Sequence, residues 1–457
     1  MTPIWRRIVC LFLFLVVSVA SARTQNPPRQ LTLREAVDLA LKQNVDVRVS
    51  ATQVTEAEGT RTRRLAALLP HASGGATANL VKNNLSIEGL SFPGVPMTVG
   101  PFAYYDFRIF GSQTVIDRQA LHNWKASERQ EEATRLSYQD TRDLVVREAA
   151  GLYLQSETAA AEVEAAQSRV ETSRTLEKLA VDQHDQGLAT GIDVVRSQVQ
   201  LARDQQALLV AQNNYQTSLL VLARFIGLSP GTPFDLAEKL EFQHFDAPNV
   251  EQALTAALAA RADYQSLLRQ QRSLKEQEQA SHARNFPTLG VSGNYGTAGR
   301  NFSAMPTSGG IEGNLSVTIF DRDRKGEKEE LESRADRLKA QAGDLARGIE
   351  QDLRKAVLDI QSSEQQVSVT QAALDLARRE LILAQDRFHN GVTDNIEVVT
   401  AQDSLASAQD DRIAAIAQST DARAALARAL GGMEKNYQSY FGHASNSADR
   451  QKEVKEP

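Results

Sequence analysis

The chain lacks almost every residue type on which thiol or metal chemistry depends. Its 457 residues include one cysteine, Cys10, and seven scattered histidines. Because Cys10 lies in a segment that we expect to be removed, the mature chain is expected to have no disulfide, no reactive thiol and no cysteine to carry a lipid. The histidines show no metal-ligand spacing, and the formal net charge of −6 argues against nucleic acid as a partner. The sequence therefore predicts neither a cofactor nor a metal site.

The N-terminus has the three parts of a secretory signal. Arg6-Arg7 precedes an apolar run at residues 8–19, and Ala20-Ser21-Ala22 forms a small-residue cleavage site. We therefore expect residues 1–22 to be a signal peptide and the mature chain to begin near Arg23. Beyond this signal, no segment approaches the roughly 18 apolar residues of a membrane helix. An exported chain of this kind is periplasmic, secreted, or a β-barrel in an outer membrane, because short alternating strands escape hydropathy analysis.

Proline and glycine are scarce in two long stretches, and these stretches belong to an internal repeat. The segment at residues 187–195 returns at 391–399, shifted by 204 residues. This shift is far longer than the 20–50 residues of a solenoid unit, so the chain is a duplicated half-protein. We assign residues 23–248 to the first repeat and 249–432 to the second. The polar, charged segment 433–457 is predicted to be largely disordered.

Each repeat follows the same order of predicted elements. A helix opens each repeat, and Pro70 or Pro287 ends this helical region. Short segments rich in glycine, asparagine and aromatics predict two strands per repeat, at residues 71–81, 102–110, 288–295 and 311–320. Stretches with almost no helix breaker predict a long helix and a shorter returning helix in each repeat, at residues 113–186, 193–225, 327–390 and 397–430. The spacing of matched residues predicts that the first repeat has both the longer strand region and the longer descending helix.

Helical rods of this length cannot bury a core alone. Seventy helical residues extend about 100 Å, and four short strands are too few for a closed barrel, which needs about eight. Since unpaired strand edges are not tolerated in a membrane, other copies must complete the structure, and three copies would supply about twelve strands. The expected fold is mainly α, with long antiparallel helical hairpins and a small β-barrel part. The function expected of such a tube is to let molecules pass through its interior.

Several short motifs, taken in order, are similar to those of one family. Residues 31–36 (Leu-Thr-Leu-Arg-Glu-Ala), the strand ends Ile109-Phe110 and Ile319-Phe320-Asp321, and the turns that begin at Gly187 and Gly391 resemble the TolC family of outer-membrane channel proteins. The resemblance implies a homotrimer in outer-membrane lipid, with one twelve-stranded β-barrel and a long periplasmic α-barrel. It also implies an exit duct that docks on a periplasmic adaptor and an inner-membrane transporter, in efflux or in one-step protein secretion.

The resemblance places a gate at the two repeated turns, which become the periplasmic tip. Glu397 falls where the family has an acidic ring at the pore constriction, and Asp193 falls on its repeat counterpart, which ties helices in the closed state. Thr400, Phe388 and Thr393 occupy neighbouring gate positions but lack the acid, the Tyr hydroxyl and the Arg of the best-known pattern. We therefore hypothesise that this tip opens more easily than one tied by an Arg–Asp pair. The alternatives are an ordinary interhelical turn and a solvated surface acid.

The turn residues themselves are predicted to contact the adaptor. Glycine at a helix end permits a positive φ, and the predicted contact residues are Gly187, Leu188, Thr190, Gly191, Gly391 and Val392. His184 and His389 flank the turns, either as solvated side chains or as groups whose protonation near about pH 6 changes the packing.

Aromatic residues in and near the predicted strands indicate a belt at the membrane interface. Inward packing is the alternative arrangement for the same side chains. The predicted belt consists of Tyr104, Tyr105, Phe107, Phe110, Tyr295 and Phe320.

One segment has the spacing of a hydrolase motif without the chemistry. Gly227-Leu228-Ser229-Pro230-Gly231 fits the G-x-S-x-G pattern, but it follows a predicted helix rather than a strand. Pro230 has no N–H with which to stabilise an oxyanion. We therefore predict a helix stop and no enzyme. The alternative function is a secreted or surface coiled-coil structural or adhesion protein, which would need long heptads without duplicated strand pairs.

Overall fold

The computed structural model describes residues 29–89, 93–94 and 96–441. The predicted signal peptide and residues 442–457 of the predicted tail lie outside the described residues. The helices, in chain order, are α1 (Leu33–Gln43), α2 (Val45–Ala66), α3 (Arg118–Asp185), α4 (Gly191–Phe225), α5 (Val250–Ala260), α6 (Ala262–Ala283), α7 (Asp323–His389), α8 (Asn395–Leu430) and α9 (Met433–Phe441). No helix in this part of the chain combines the length and the apolarity needed to cross a bilayer.

The strands form one small sheet and one larger sheet. In the small sheet, β1 (Arg29–Leu31) pairs in parallel with β4 (Phe234–Leu236), and neither strand was predicted. The larger sheet is antiparallel, with the order β2-β3-β5-β6, and its strands are β2 (His71–Asn84), β3 (Thr98–Ile116), β5 (Thr288–Gly299) and β6 (Thr307–Ser316). Each repeat therefore contributes one hairpin, and among the described residues β2 and β6 are the edge strands, each paired on one side only.

The strands and the long helices depart from the prediction at their boundaries. The descending helices are nearly equal, with 68 residues in α3 and 67 in α7, so the predicted longer first helix is wrong. The extra residues of the first repeat instead extend β3 to Ile116, whereas β6 ends at Ser316, before Phe320. Because the two helical hairpins pack side by side, their descending helices must match in length, and the strand ends absorb the difference.

The four long helices pack in the order α4, α3, α8, α7. α3 contacts both α4 and α8, and α8 packs along α7. Alanine supplies much of the buried seam, as at Ala180, Ala384 and Ala401, which permits a close helix approach. The two outer helices, α4 and α7, leave large apolar side chains exposed, among them Val199, Leu209, Val210, Leu220, Val369, Leu376, Ile382 and Leu383.

The largest hydrophobic core lies beside the middle of α3, where α1, the small sheet and α9 pack around the hairpins. It includes Leu31, Val37, Val146, Tyr153 and Leu222, all of them buried. The hydroxyl of Tyr153 donates to the carbonyl oxygen of Leu31 at 2.9 Å and also to the carboxylate of Glu238. This core ties the connector between the repeats to α3. The predicted stop at Gly227 follows α4 directly, with a φ of +78°.

The predicted disorder of the tail is wrong for its first nine residues, which form α9. Met433, Tyr437 and Phe441 recur at i, i+4 and i+8 and are buried in the core beside α3. The guanidinium of Arg142 binds the carboxylate of Glu434 through two hydrogen bonds of 2.8 and 2.5 Å. The apolar spacing outweighs the polar composition, because one face of a short helix suffices for docking.

Candidate functional site

The two repeated turns join each descending helix to its returning helix with the same backbone geometry. Gly187 has a φ of +74° and Gly391 a φ of +67°. The N–H of Leu188 donates to the carbonyl of Gln183, and the N–H of Val392 donates to that of Arg387, each at 2.9 Å. Together with the glycine N–H bonds at 2.9 and 3.0 Å, this is the Schellman motif at both helix ends. We call residues related by the 204-residue shift twins.

Asp193 is a buried capping residue of α4. Its carboxylate accepts the N–H of Thr190 at 2.9 Å and the Thr190 hydroxyl at 2.5 Å, and Arg196 lies 3.5 Å away. Burial alone would raise the pKa of Asp193, but the hydrogen bonds from Thr190 and from the Asn395 N–H, with the charge of Arg196, lower it below its ordinary value. At 4 % exposure this carboxylate offers no open surface to a pore.

Asn395 connects the two turns and is not among the site residues predicted from the sequence. Its side-chain amide donates to the carbonyl of Asp193 at 3.0 Å and to the hydroxyl of Ser197 at 2.7 Å. Its backbone N–H faces the Asp193 carboxylate at 3.5 Å. Asn395 is 2 % exposed and is the twin of Gly191, which has no side chain to make the reciprocal contact. The presence of Asn395 where the first repeat has Gly191 was the feature of the sequence that could have identified this residue.

Gln183 makes a second connection, in the opposite direction. Its amide donates to the carbonyls of Phe388 at 3.1 Å and of His389 at 3.0 Å, at the end of α7. Gln183 is buried; its amide is a second donor to the Phe388 carbonyl, which also accepts the Gly391 N–H, and it donates to the His389 carbonyl in the last turn of the helix. Its twin is Arg387. Each hairpin therefore gives one buried amide to the backbone of the other, and we call Gln183 and Asn395 the amide clamp.

Glu397 differs from its twin Asp193 in exposure and in partner. Its carboxylate pairs with the Arg387 guanidinium at 3.1 Å, and its side chain is 39 % exposed. Thr400 is exposed one turn further along α8, and its hydroxyl donates to the Ile396 carbonyl of its own helix at 2.9 Å. Thr393 is half-buried within the turn. Glu397 is thus the more accessible of the two twin acids.

The prediction that Phe388 belongs to the pore constriction is wrong for its side chain. Phe388 is 3 % exposed and packs in an apolar cluster with Leu176 of α3 and Val398 of α8. A side chain already buried within one chain cannot line a channel. Its role is to hold the two hairpins together next to the amide clamp.

Apolar side chains project from the outer surface of both turns. Leu188 and its twin Val392 are 60 % and 68 % exposed, and Ile192 and its twin Ile396 are also exposed. Thr190, Gly191 and Gly391 shape the backbone that presents them. The predicted contact residues therefore lie together at one end of the hairpins. His184 is exposed there too, with Nδ1 3.1 Å from the Ala189 carbonyl oxygen.

The register of the larger sheet divides the predicted aromatic belt between two faces. Residues paired across strands share a face, so Phe107, Tyr105 and Tyr295 lie with Ile109 and Ile311 on an apolar face. Phe107 and Tyr105 also contact the ring of Phe302.

The other face of the sheet is polar. Phe110 pairs with Asn294, and Tyr104 pairs with Asn79, on the face that carries Arg108 and Asp106. The prediction of one shared aromatic belt is therefore wrong for Tyr104 and Phe110, because alternate residues of a strand point to opposite faces and these two lie on the polar face. Phe320 is 85 % exposed beyond the end of β6.

Each repeat consists of a strand hairpin followed by a long helical hairpin. This duplicated arrangement corresponds to a known protein family. The family model described as "Outer membrane efflux protein" matches residues 36–228 and 249–432. The chain belongs to the outer membrane efflux protein family. The match falls into two segments that follow the two repeats, which confirms the family resemblance seen in the motifs.

Two relatives of this efflux protein come from Pseudomonas species. It is 23 % identical over 411 residues to the "Pyoverdine export outer membrane protein OpmQ" of Pseudomonas aeruginosa, covering 86 % of this chain and 83 % of that protein. It is 26 % identical over 432 residues to the "Probable efflux pump outer membrane protein TtgC" of Pseudomonas putida, covering 88 % and 83 %.

Solved structures share the fold of this efflux protein. The CmeC outer membrane channel of Campylobacter jejuni superposes with a TM-score of 0.77 at 15 % identity, covering 93 % of this chain and 94 % of that one. The outer membrane protein VceC of Vibrio cholerae gives 0.76 at 17 % identity, with 88 % and 96 % covered. The fold class expected from the sequence is confirmed: a TolC-type channel subunit, mainly helical, with one four-stranded contribution to a barrel.

Proposed function

We propose that this efflux protein is the outer-membrane exit duct of a tripartite assembly. Three copies form one tube, with a twelve-stranded β-barrel in outer-membrane lipid and an α-barrel in the periplasm. Substrates enter from an inner-membrane transporter and a periplasmic adaptor, and they leave to the exterior. The names of OpmQ and TtgC, which refer to pyoverdine export and to an efflux pump, support small-molecule efflux over protein secretion.

The observation that carries this proposal is that both layers of the subunit end in unpartnered edges. Within the described residues, β2 and β6 are each paired along one edge only, and the hairpins leave α4 and α7 with exposed apolar side chains. Each pair of edges consists of two different elements, so head-to-tail contact between copies generates a ring when the rotation from one copy to the next closes. Closure of the sheet by neighbouring copies also removes the edges that a membrane does not tolerate.

The two repeated turns form the periplasmic tip and its gate in this proposal. The amide clamp ties the second hairpin to the first, and Glu397 supplies the acidic ring at the constriction. The exposed side chains of Leu188 and Val392 contact the adaptor. The tie is therefore made of buried neutral amides rather than of an Arg–Asp pair.

The test is to purify the protein from outer-membrane fractions in detergent and to insert it into planar lipid bilayers. We expect a trimer that dissociates on heating and conducts ions as a single pore. Replacing the apolar edge residues Leu209 and Leu383 by glutamate should prevent trimer formation, whereas the glutamate substitution of Leu144, an exposed leucine of the inner helix α3, should not. A soluble monomer or a non-conducting fibrous assembly would refute the channel and favour a structural or adhesion protein.

A further inference from the structure

The strongest unexplained contact at the tip is the ion pair between Arg387 and Glu397. Arg387 lies in the last turn of α7 and Glu397 in the first turn of α8, so the pair spans the second repeated turn. The guanidinium lies 3.1 Å from the carboxylate, and the two side chains are 55 % and 39 % exposed. An exposed pair of this kind contributes little to stability. The pair nevertheless changes the local electric field, because the positive charge of Arg387 lies next to the negative charge of Glu397.

The twin positions show that this pair is particular to the second turn. Arg387 is matched by the neutral Gln183, and Glu397 by Asp193, whose carboxylate is buried and held by Thr190. In the first turn the acid is buried, and its neighbouring cation, Arg196, lies 3.5 Å away on the same helix. In the second turn the acid stays accessible, and a cation covers it.

The charges around the second turn make Arg387 decisive for the net charge there. Between residues 386 and 397 the sequence has three acids, Asp386, Asp394 and Glu397, while Arg387 is the sole permanent cation. Asp394 caps α8 through the Ile396 N–H at 3.3 Å. Removal of Arg387 therefore uncovers the Glu397 carboxylate within a locally acidic segment.

We propose that Arg387 determines the ion selectivity of the tip by masking Glu397. In the paired state each subunit presents a nearly neutral pair, so the ring formed by three subunits attracts cations weakly. Without the guanidinium, three carboxylates face the same constriction, and their summed field concentrates cations. This inference rests on the proposed channel function and identifies Arg387 as a specificity-determining residue that acts through Glu397.

The experiment measures reversal potentials of the full-length trimer in bilayers under a KCl gradient. We expect Arg387→Gln to raise the K⁺-to-Cl⁻ permeability ratio about threefold and to lower the half-blocking Mg²⁺ concentration by a similar factor. Arg387→Lys should retain the wild-type values, since the charge remains. Glu397→Gln should shift the ratio the opposite way, because it leaves Arg387 unopposed.

Arg378→Gln is the matched control. Arg378 lies on the same helix, pairs with Asp375 at 3.8 Å, and has a side-chain exposure of 56 %, close to that of Arg387. We expect the Arg378 variant to leave selectivity unchanged and the double variant Arg387→Gln/Glu397→Gln to return near wild type. Conducting Arg387→Gln and Glu397→Gln channels with wild-type selectivity would overturn the masking role alone. A wild-type protein without conductance would instead overturn the proposed channel.

Discussion

Replacing Asn395 by alanine should release the second turn from the first and raise the open fraction of the channel. The substitution removes an amide that is buried and donates to the Asp193 carbonyl and to the Ser197 hydroxyl. It leaves the Schellman motif of the second turn intact, because Gly391 and Val392 make those bonds through their backbone. The variant therefore tests the tie between turns without unfolding either turn.

The magnitude follows from the acceptors that the substitution leaves behind. A buried group deprived of its partner costs about 1–3 kcal/mol, but the Asp193 carbonyl keeps the Ser197 hydroxyl at 3.0 Å. We therefore take a value in the lower half of this range, about 1.5 kcal/mol per subunit, which is roughly a tenfold change in the open-to-closed equilibrium. If the three subunits open together, the costs add and the change approaches about a thousandfold.

Single-channel recording in planar bilayers measures this equilibrium as the open fraction at fixed voltage. Asn390→Ala is the matched control, because the Asn390 amide lies at the same turn but is exposed and bonds its own helix, at the Asp386 carbonyl, at 2.7 Å. An open fraction that is equal in wild type, Asn395→Ala and Asn390→Ala would refute the amide clamp as the gate. Gln183→Ala provides an independent check from the other hairpin, and its open fraction should also rise.

Three further perturbations test the structure around the clamp and the central core. The hydrogen bonds of the ionised Asp193 carboxylate lower its pKa, so they stabilise the tip at pH values above the unfolded-state pKa. This stabilisation is lost as pH falls, and the open fraction should therefore rise below about pH 4. Asp193→Asn should abolish that rise. Burial raises the pKa of Glu157 to about 8, so ionisation should lower the thermal dissociation temperature of the trimer as pH rises toward that value. The dissociation temperature of Glu157→Gln should not change between about pH 5 and pH 9. If it fell with pH as in the wild type, the titrating group would not be Glu157. Tyr437→Ala should destabilise the docked α9 by about 3–5 kcal/mol, measured as faster proteolysis at the C-terminal end; an unchanged rate would show that α9 contributes little.

Much of the fold is predictable because it depends on local patterns. The glycine turns, the scarcity of helix breakers and the strand segments rich in glycine, asparagine and aromatics predict the ends of every long element to within about six residues. The capping of α4 is also local, since Thr190 and Asp193 have the spacing of a capping box. The nine residues of α9 were predictable as well, from the i, i+4, i+8 spacing of Met433, Tyr437 and Phe441. The composition of the whole tail concealed that spacing.

The contacts that matter most at the tip are not local, and the sequence could not predict them. Asn395 reaches Asp193 across 202 residues, and Gln183 reaches Phe388 across 205. An asparagine at the start of a helix is typically interpreted as its N-cap. Here the neighbouring Asp394 caps α8, which leaves the Asn395 side chain free to contact the other hairpin. The division of the aromatic residues also needed the register, because a shift of one residue moves a side chain to the other face.

The duplicated turns have diverged into complementary halves rather than into equal copies. Where the first turn has Gly191, the second has the donor Asn395, and where the second has Arg387, the first has the donor Gln183. The buried acid of the first turn accepts hydrogen bonds, whereas the exposed acid of the second turn carries a covering cation. The two carboxylates are therefore satisfied in different ways, the first by hydrogen bonds from Thr190 and the second by the Arg387 guanidinium.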